Sequence, residues 1–175
     1  MLNNKGSFKP SNTSRKAKYA IASTSWNSEI VEKMLENCLN YLSTNGVESK
    51  NIRTIKVPGV FELPSIANKL AYDVDAIITL GCVIKGETPH FDFISNSCAH
   101  GLTKVSIEKE IPVVFGILTT NNQKQAKDRA DPSKGNKGAE AAETAMEMVE
   151  RFSSLRKWQI LQWGQGTKPY KACMR

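Results

Sequence analysis

Four short apolar segments, separated by stretches with helical periodicity, constrain this chain more than any other feature. They are residues 18–25 (KYAIASTS), 52–57 (IRTIKV), 75–84 (DAIITLGCVI) and 112–120 (PVVFGILTT). The third is almost continuously apolar, which suits a parallel strand covered on both faces. After the first segment, Ile30, Val31, Met34, Leu35, Cys38, Leu39 and Leu42 recur at 3.6-residue spacing. Asn27 or Ser28 can cap that helix, and Asn45-Gly46 ends it. Pro58-Gly59 breaks the second strand, and Pro64 suits the opening of a helix through about Tyr72. Thr88-Pro89 starts a third helix that ends before Pro112. Two further helical segments are expected near 121–130 and 138–155, joined by the turn DPSKGNKG.

This alternation predicts an α/β protein with a three-layer, flavodoxin-like architecture. A four-stranded parallel sheet, in the order 2-1-3-4, should be flanked by helices on both faces. At 175 residues the chain is long enough for one sizeable core and short for two. We therefore divide it into a basic N-terminal arm (1–18), one α/β domain (19–155) and a basic C-terminal extension (156–175).

The net charge of +7 invites a nucleic-acid reading, but its distribution argues otherwise. Residues 1–18 carry five Lys/Arg and no acid, and residues 156–175 again carry five and none. The 137 residues between hold the other 14 bases and all 17 acids, a net of −3. Basicity belongs to the tails, so nucleic acid is not an expected partner. No apolar run approaches the roughly 20 residues of a membrane helix, so no membrane association is expected. The arm lacks the apolar stretch of a secretory signal, although an acid-free, Ser-containing arm is also compatible with organelle targeting. Cys38, Cys82, Cys98 and Cys173 show no metal or redox spacing and read as reduced thiols of a cytoplasmic protein.

In a sheet of this kind ligands sit beyond the carboxyl ends of the strands. Those ends carry Ser25-Trp26-Asn27, Pro58 to Glu62, Lys85 to His90 and Thr119 to Asn122. Thr88 as N-cap and Pro89 as first helical residue put His90 second, beside unused N–H groups of the Gly86-Glu87-Thr88 turn. Such donors and the helix dipole favour an anion, naturally a phosphate, and also favour an uncharged imidazole that can accept a proton. His100 lies on another face of the same helix, so the two histidines do not share a metal, and no metal is expected. Trp26 offers a stacking face for a planar heterocycle or serves as a lid or core aromatic. Glu62 can accept hydrogen bonds from a polyol or simply favour a helix start. Arg129 can clamp a phosphate, or pair with Asp128 and Asp131. Lys137, between glycines, is free for anion contact.

Five ordered blocks then give the chain a family resemblance: STSWN (23–27), VPGVFELP (57–64), LGCVIKGETPHFDFI (80–94), PVVFGILTTNNQKQAKDRA (112–130) and NKGAEAAETAMEM (136–148). From about Tyr19 to Phe152 it resembles lumazine synthase, a transferase that makes the immediate precursor of riboflavin. The resemblance implies condensation of 5-amino-6-(D-ribitylamino)uracil with 3,4-dihydroxy-2-butanone 4-phosphate, giving 6,7-dimethyl-8-ribityllumazine, phosphate and water, without a cofactor.

It also implies residue roles. Trp26 would lie on the pyrimidine ring, with Val60, Phe61 and Glu62 beside the ring and ribityl chain and Cys82, Val83 and Ile84 lining the pocket. Glu87 and Thr88 would meet the phosphorylated ketone, and His90 would move protons. Phe115, Arg129 and Lys137 would complete a neighbouring subunit's pocket, Arg129 holding the phosphate. Such proteins assemble as homopentamers or multiples of pentamers, including icosahedral shells, and the N-terminal arm commonly joins a neighbour's sheet. This chain departs from the pattern in three places. Trp26 stands where Phe is more frequent, Cys82 where Ala or Thr is common, and the tail beyond Arg156 has no family counterpart. The Cys82 thiol is expected to make the site sensitive to oxidation.

Overall fold

The computed structural model describes residues 8–163, with side chains as far as Trp158. In chain order the elements are α1 (Asn12–Lys16), β1 (Tyr19–Thr24), α2 (Ser28–Thr44), β2 (Ile52–Val57), α3 (Leu63–Leu70), β3 (Ala76–Ile84), α4 (His90–Lys109), β4 (Val113–Thr120), α5 (Gln123–Ala130) and α6 (Lys137–Trp163). All strand pairs are parallel, and the sheet order β2-β1-β3-β4 is the expected one.

Successive side chains of a strand point to opposite faces, and here each face has its own core. Tyr19 and Ile21 of β1, with Ala76, Ile78 and Leu80 of β3, pack with Val31, Met34, Cys38 and Leu42 of α2 and Ala142, Ala145 and Met146 of α6. Ala20, Ala22 and Ile77 face the other way, toward Leu63, Ala67 and Leu70 of α3 and Cys98, Leu102 and Val105 of α4. Each large side chain buried in this way, such as Ile21, Met34 or Leu80, stabilises the fold by roughly 1.5–3 kcal/mol. Helix α2 ends as expected at Asn45-Gly46, where Gly46 takes φ +89°.

The two edges of the sheet differ. On β2, Arg53, Thr54 and Lys56 are exposed, and charges on an edge discourage further pairing. On β4, VVFGILTT carries no charge and no proline, and Phe115 is 42% exposed.

Three boundaries differ from the sequence reading. Within the arm expected at 1–18, residues 12–16 form α1, and Ser14 and Ala17 are buried. The backbone N–H of Ser11 and the hydroxyl of Ser14 donate to one oxygen of Glu150 at 2.6 and 2.7 Å, latching α1 to α6. The Tyr19 hydroxyl donates to Ser14 O at 2.8 Å, and burial, with Asp75 and Glu150 adding, pushes its ionisation well above the ordinary tyrosine range. At the other end, α6 continues past residue 155 to Trp163. The remaining arm (1–7) and tail (164–175), including Cys173, lie outside the described residues. Helix α4 differs too: its N-cap is Pro89 and His90 is its first residue, so Thr88 does not cap it.

Two outcomes follow. The start of α6 presses on α2 at Gly138, where a Cβ would collide with the Met34 backbone carbonyl. Gly138→Ala should therefore cost about 1–3 kcal/mol in urea unfolding. For Glu150, burial opposes ionisation, but the hydrogen bonds from Ser11 and Ser14 outweigh it and leave the carboxyl below its usual range. The latch is then fully present above the ordinary carboxylate range and lost as pH falls through the lowered value. Amide-exchange protection of residues 13–16 should fall on that acidification, and Glu150→Gln should weaken it at neutral pH.

Candidate active site

Chain turns at the carboxyl ends of β1, β2 and β3 build one surface. Ser25 N–H donates to Val57 O (2.9 Å) and Pro58 O (3.2 Å), tying the turn after β1 to the end of β2. The same turn leaves Trp26 73% exposed, its ring against Gly59, where a Cβ would lie 3.5 Å from Cδ1. Beyond Gly59, Val60 is buried against Gly81, Phe61 is 60% exposed, and Glu62 turns back to accept the Gly59 N–H at 2.9 Å. The Glu62 carboxylate thus already caps a short 3-10 turn, Val60–Glu62, ahead of α3.

After β3, Lys85 N–H donates to Thr120 O at 2.8 Å, and the chain then runs exposed through Glu87, Thr88 and Pro89 to His90. No side chain caps α4, which leaves donors at its positive end open to solvent or to an anion. The His90 side chain is exposed and has no hydrogen-bond or ion-pair partner among the described residues. No cluster of three or more His, Cys, Asp or Glu among the described residues is arranged to hold a metal ion. No described helix is long and apolar enough to cross a membrane.

Phe115, Arg129 and Lys137 lie elsewhere. They line a groove of about 610 Å³ along the open edge of β4, with Glu140, Thr144 and Met148 of α6 on its far wall. None of Trp26, Glu62, Glu87, Thr88 or His90 lines that groove. Its Arg129 is exposed and makes no ion pair within the chain's described part. The carboxylates beside it are engaged: hydrogen bonds from Lys124 and Lys134 hold Asp128 down at about 2, and Asp131 accepts from Ser133. The salt-bridge alternative for Arg129 is thereby removed. Lys137, by contrast, pairs with Glu140 and is largely covered.

One chain therefore brings together Trp26, Val60, Phe61 and Glu62, sets Cys82, Val83 and Ile84 at the end of β3 between them and the His90 loop, and leaves the cationic residues on a separate edge. Cys82 is 3% exposed, and burial pushes its thiol up to about 11. A protonated, covered thiol is a poor target for oxidants, contrary to the sensitivity expected from sequence. Sequence reasoning missed three contributors. Asn27, read as a cap and as part of the turn after the first strand but given no role of its own, sends its side-chain amide to Cys82 O at 2.9 Å. Thr144 and Met148 share the groove with Lys137 and Ala141, a spacing of three and four along α6 that marks a common helix face.

Comparison of the sequence with known proteins identifies a family. The model of a family described as 6,7-dimethyl-8-ribityllumazine synthase matches residues 16–153. Curated proteins of that name from Nitratidesulfovibrio vulgaris, strains DP4 and Hildenborough, are each 44% identical over 140 residues, covering 79% of this chain and 90% of theirs. A solved structure described as the ABC domain in complex with L-Trp from Streptococcus pneumonia aligns with 79% of this chain and 41% of that one. Its 14% identity and TM-score of 0.39 are too low to bear on fold or function. With a match across most of its length and relatives this similar, the chain belongs to the 6,7-dimethyl-8-ribityllumazine synthase family.

Proposed function

We propose that this chain is a transferase that condenses 5-amino-6-(D-ribitylamino)uracil with 3,4-dihydroxy-2-butanone 4-phosphate to 6,7-dimethyl-8-ribityllumazine, phosphate and water, in the cytoplasm and without a cofactor. Family membership supports the reaction. The observation that carries the site reading is the separation within one chain of Trp26 and His90 from Arg129, which has no ion pair among the described residues.

The residues suit the chemistry. An amine attacks a ketone and water leaves; phosphate is eliminated; a ring closes through a second dehydration. His90, facing solvent at the first turn of α4, moves the protons. Glu87, Thr88 and the open N–H groups of that turn meet the phosphorylated ketone. Trp26 stacks on the pyrimidine, with Val60, Phe61, Glu62, Cys82, Val83 and Ile84 around the ring and ribityl chain. Engaging a ribityl hydroxyl requires Glu62 to share or release the Gly59 N–H it now accepts.

Phosphate recognition also needs a cation, and Arg129 lies on the β4 edge. The site is complete only when Phe115, Arg129 and Lys137 come from an adjoining copy. The β4 strand itself carries no charge and no proline, and no strand pairs with its outer side among the described residues, whereas the β2 strand exposes Arg53 and Lys56, so β4 is the edge suited to a second copy. The assembly is a homo-oligomer, a pentamer or a multiple of pentamers. Holding two substrates in register supplies roughly 7–11 kcal/mol, against about 3–5 kcal/mol from one acid-base group. Positioning dominates.

The direct test is to mix both substrates with purified protein, follow lumazine formation, and measure the mass in solution; no product sinks the reaction, and an active monomer sinks the shared site. His90→Ala should lower kcat by about 10²-fold without abolishing turnover. Arg129→Ala should raise KM for the phosphorylated ketone by roughly 10- to 100-fold, the loss of a charge-assisted contact. Co-expressing these two variants in equal amounts should restore activity in roughly a quarter of the sites, since random mixing around a ring regenerates some intact pairs. No recovery would place all the groups in one subunit.

A further inference from the structure

Trp26 is held through its neighbour. Asn27 occupies the N-cap of α2, yet its side chain makes no capping bond and its backbone is left-handed, at φ 55° and ψ 43°. Non-glycine residues adopt that conformation at a cost, and Asn among the least. What the side chain does instead is reach 55 residues along the chain, its Nδ2 donating to Cys82 O at 2.9 Å.

The sheet explains why that carbonyl needs a donor. Strands β1 and β3 pair only as far as Ser23 and Leu80, while β3 continues to Ile84. Past Leu80 the side of β3 that faced β1 has lost its ladder, and a covered carbonyl without a donor costs about 1–3 kcal/mol. The Asn27 amide takes over the ladder's role. On the opposite flank Ser25 and Trp26 N–H groups donate to Val57 O and Pro58 O. The turn is therefore fastened to β2 on one side and β3 on the other, with Trp26 projecting between, against Gly59, whose N–H is held by Glu62.

We propose that Asn27 is a positioning residue whose left-handed backbone and amide bond to the Cys82 carbonyl fix the Trp26 ring over Gly59, setting affinity for the planar pyrimidine substrate rather than for the phosphorylated ketone. This rests on the reading of Trp26 as the stacking face.

Asn27→Gly keeps the left-handed backbone and deletes the amide; Asn27→Asp keeps the shape and turns a donor toward a carbonyl into an acceptor. The chain has three tryptophans, so Trp158→Phe with Trp163→Phe leaves Trp26 alone to report by fluorescence. In that background both Asn27 variants should lower Trp26 anisotropy and raise its acrylamide quenching while the unfolding midpoint of at least one stays put. In steady-state assays KM for the pyrimidine substrate should rise about 10-fold, the equivalent of one lost hydrogen bond to a covered carbonyl, with KM for the ketone within about twofold. Unchanged Trp26 fluorescence in both variants overturns the proposal, as does a parallel rise in both KM values. Should the unaltered protein form no lumazine, the reaction assignment fails, and the fluorescence arm alone still decides whether Asn27 fixes Trp26.

Discussion

Side by side and buried on both faces, β1 and β3 are the pairing on which the remaining structure is assembled. Every residue of β1 is covered, and β3 is covered from Ala76 through Cys82. Two such strands cannot stand without a layer on each side, which is why α2 and α6 gather on one face and α3 and α4 on the other. The unequal lengths of the two strands matter as much as their burial. Because β1 stops at Thr24 while β3 runs on to Ile84, the end of β3 stands clear of its neighbour, and the turns after β1 and β2 close over that free stretch. The candidate site is built on this overhang.

Much of this was legible in the sequence because it depends on local pattern. The almost continuous apolar run 76–84 suited a strand covered twice, and the 3.6-residue spacing in α2 declared a helix with one buried face. Strand order and the carboxyl-end location of Trp26, Glu62 and His90 followed from the alternation. What escaped was set by contacts distant in sequence. Helix α1 is short and basic, and its anchor, Glu150, lies 139 residues from Ser11. The capping of α4 was displaced by one residue because Pro89 itself takes the N-cap place, with φ −69° and ψ 2°. Whether Arg129 was paired turned on which lysines reached Asp128, and that depends on the tight fold-back of the turn at Gly135 onto the Arg129 backbone.

Burial also separates two residues that look alike in a sequence. On the resemblance, Cys82 and Trp26 both read as departures from the family pattern, but the thiol is sealed beneath the turn while the indole stands in the open. A change at Cys82 alters packing with little access to solution chemistry. A change at Trp26 alters an exposed face, and the indole's bulk is carried by a turn fastened at both ends rather than by a packed core.

The uncharged margin of β4 imposes a condition on how the protein is made. A freshly folded copy that has not met another presents eight strand residues, none of them charged, whose outer side pairs with no strand among the described residues. On the assembly proposed above, the interval between release from the ribosome and capture by a sibling is the hazardous one. Abundant synthesis shortens it, and scarcity prolongs it.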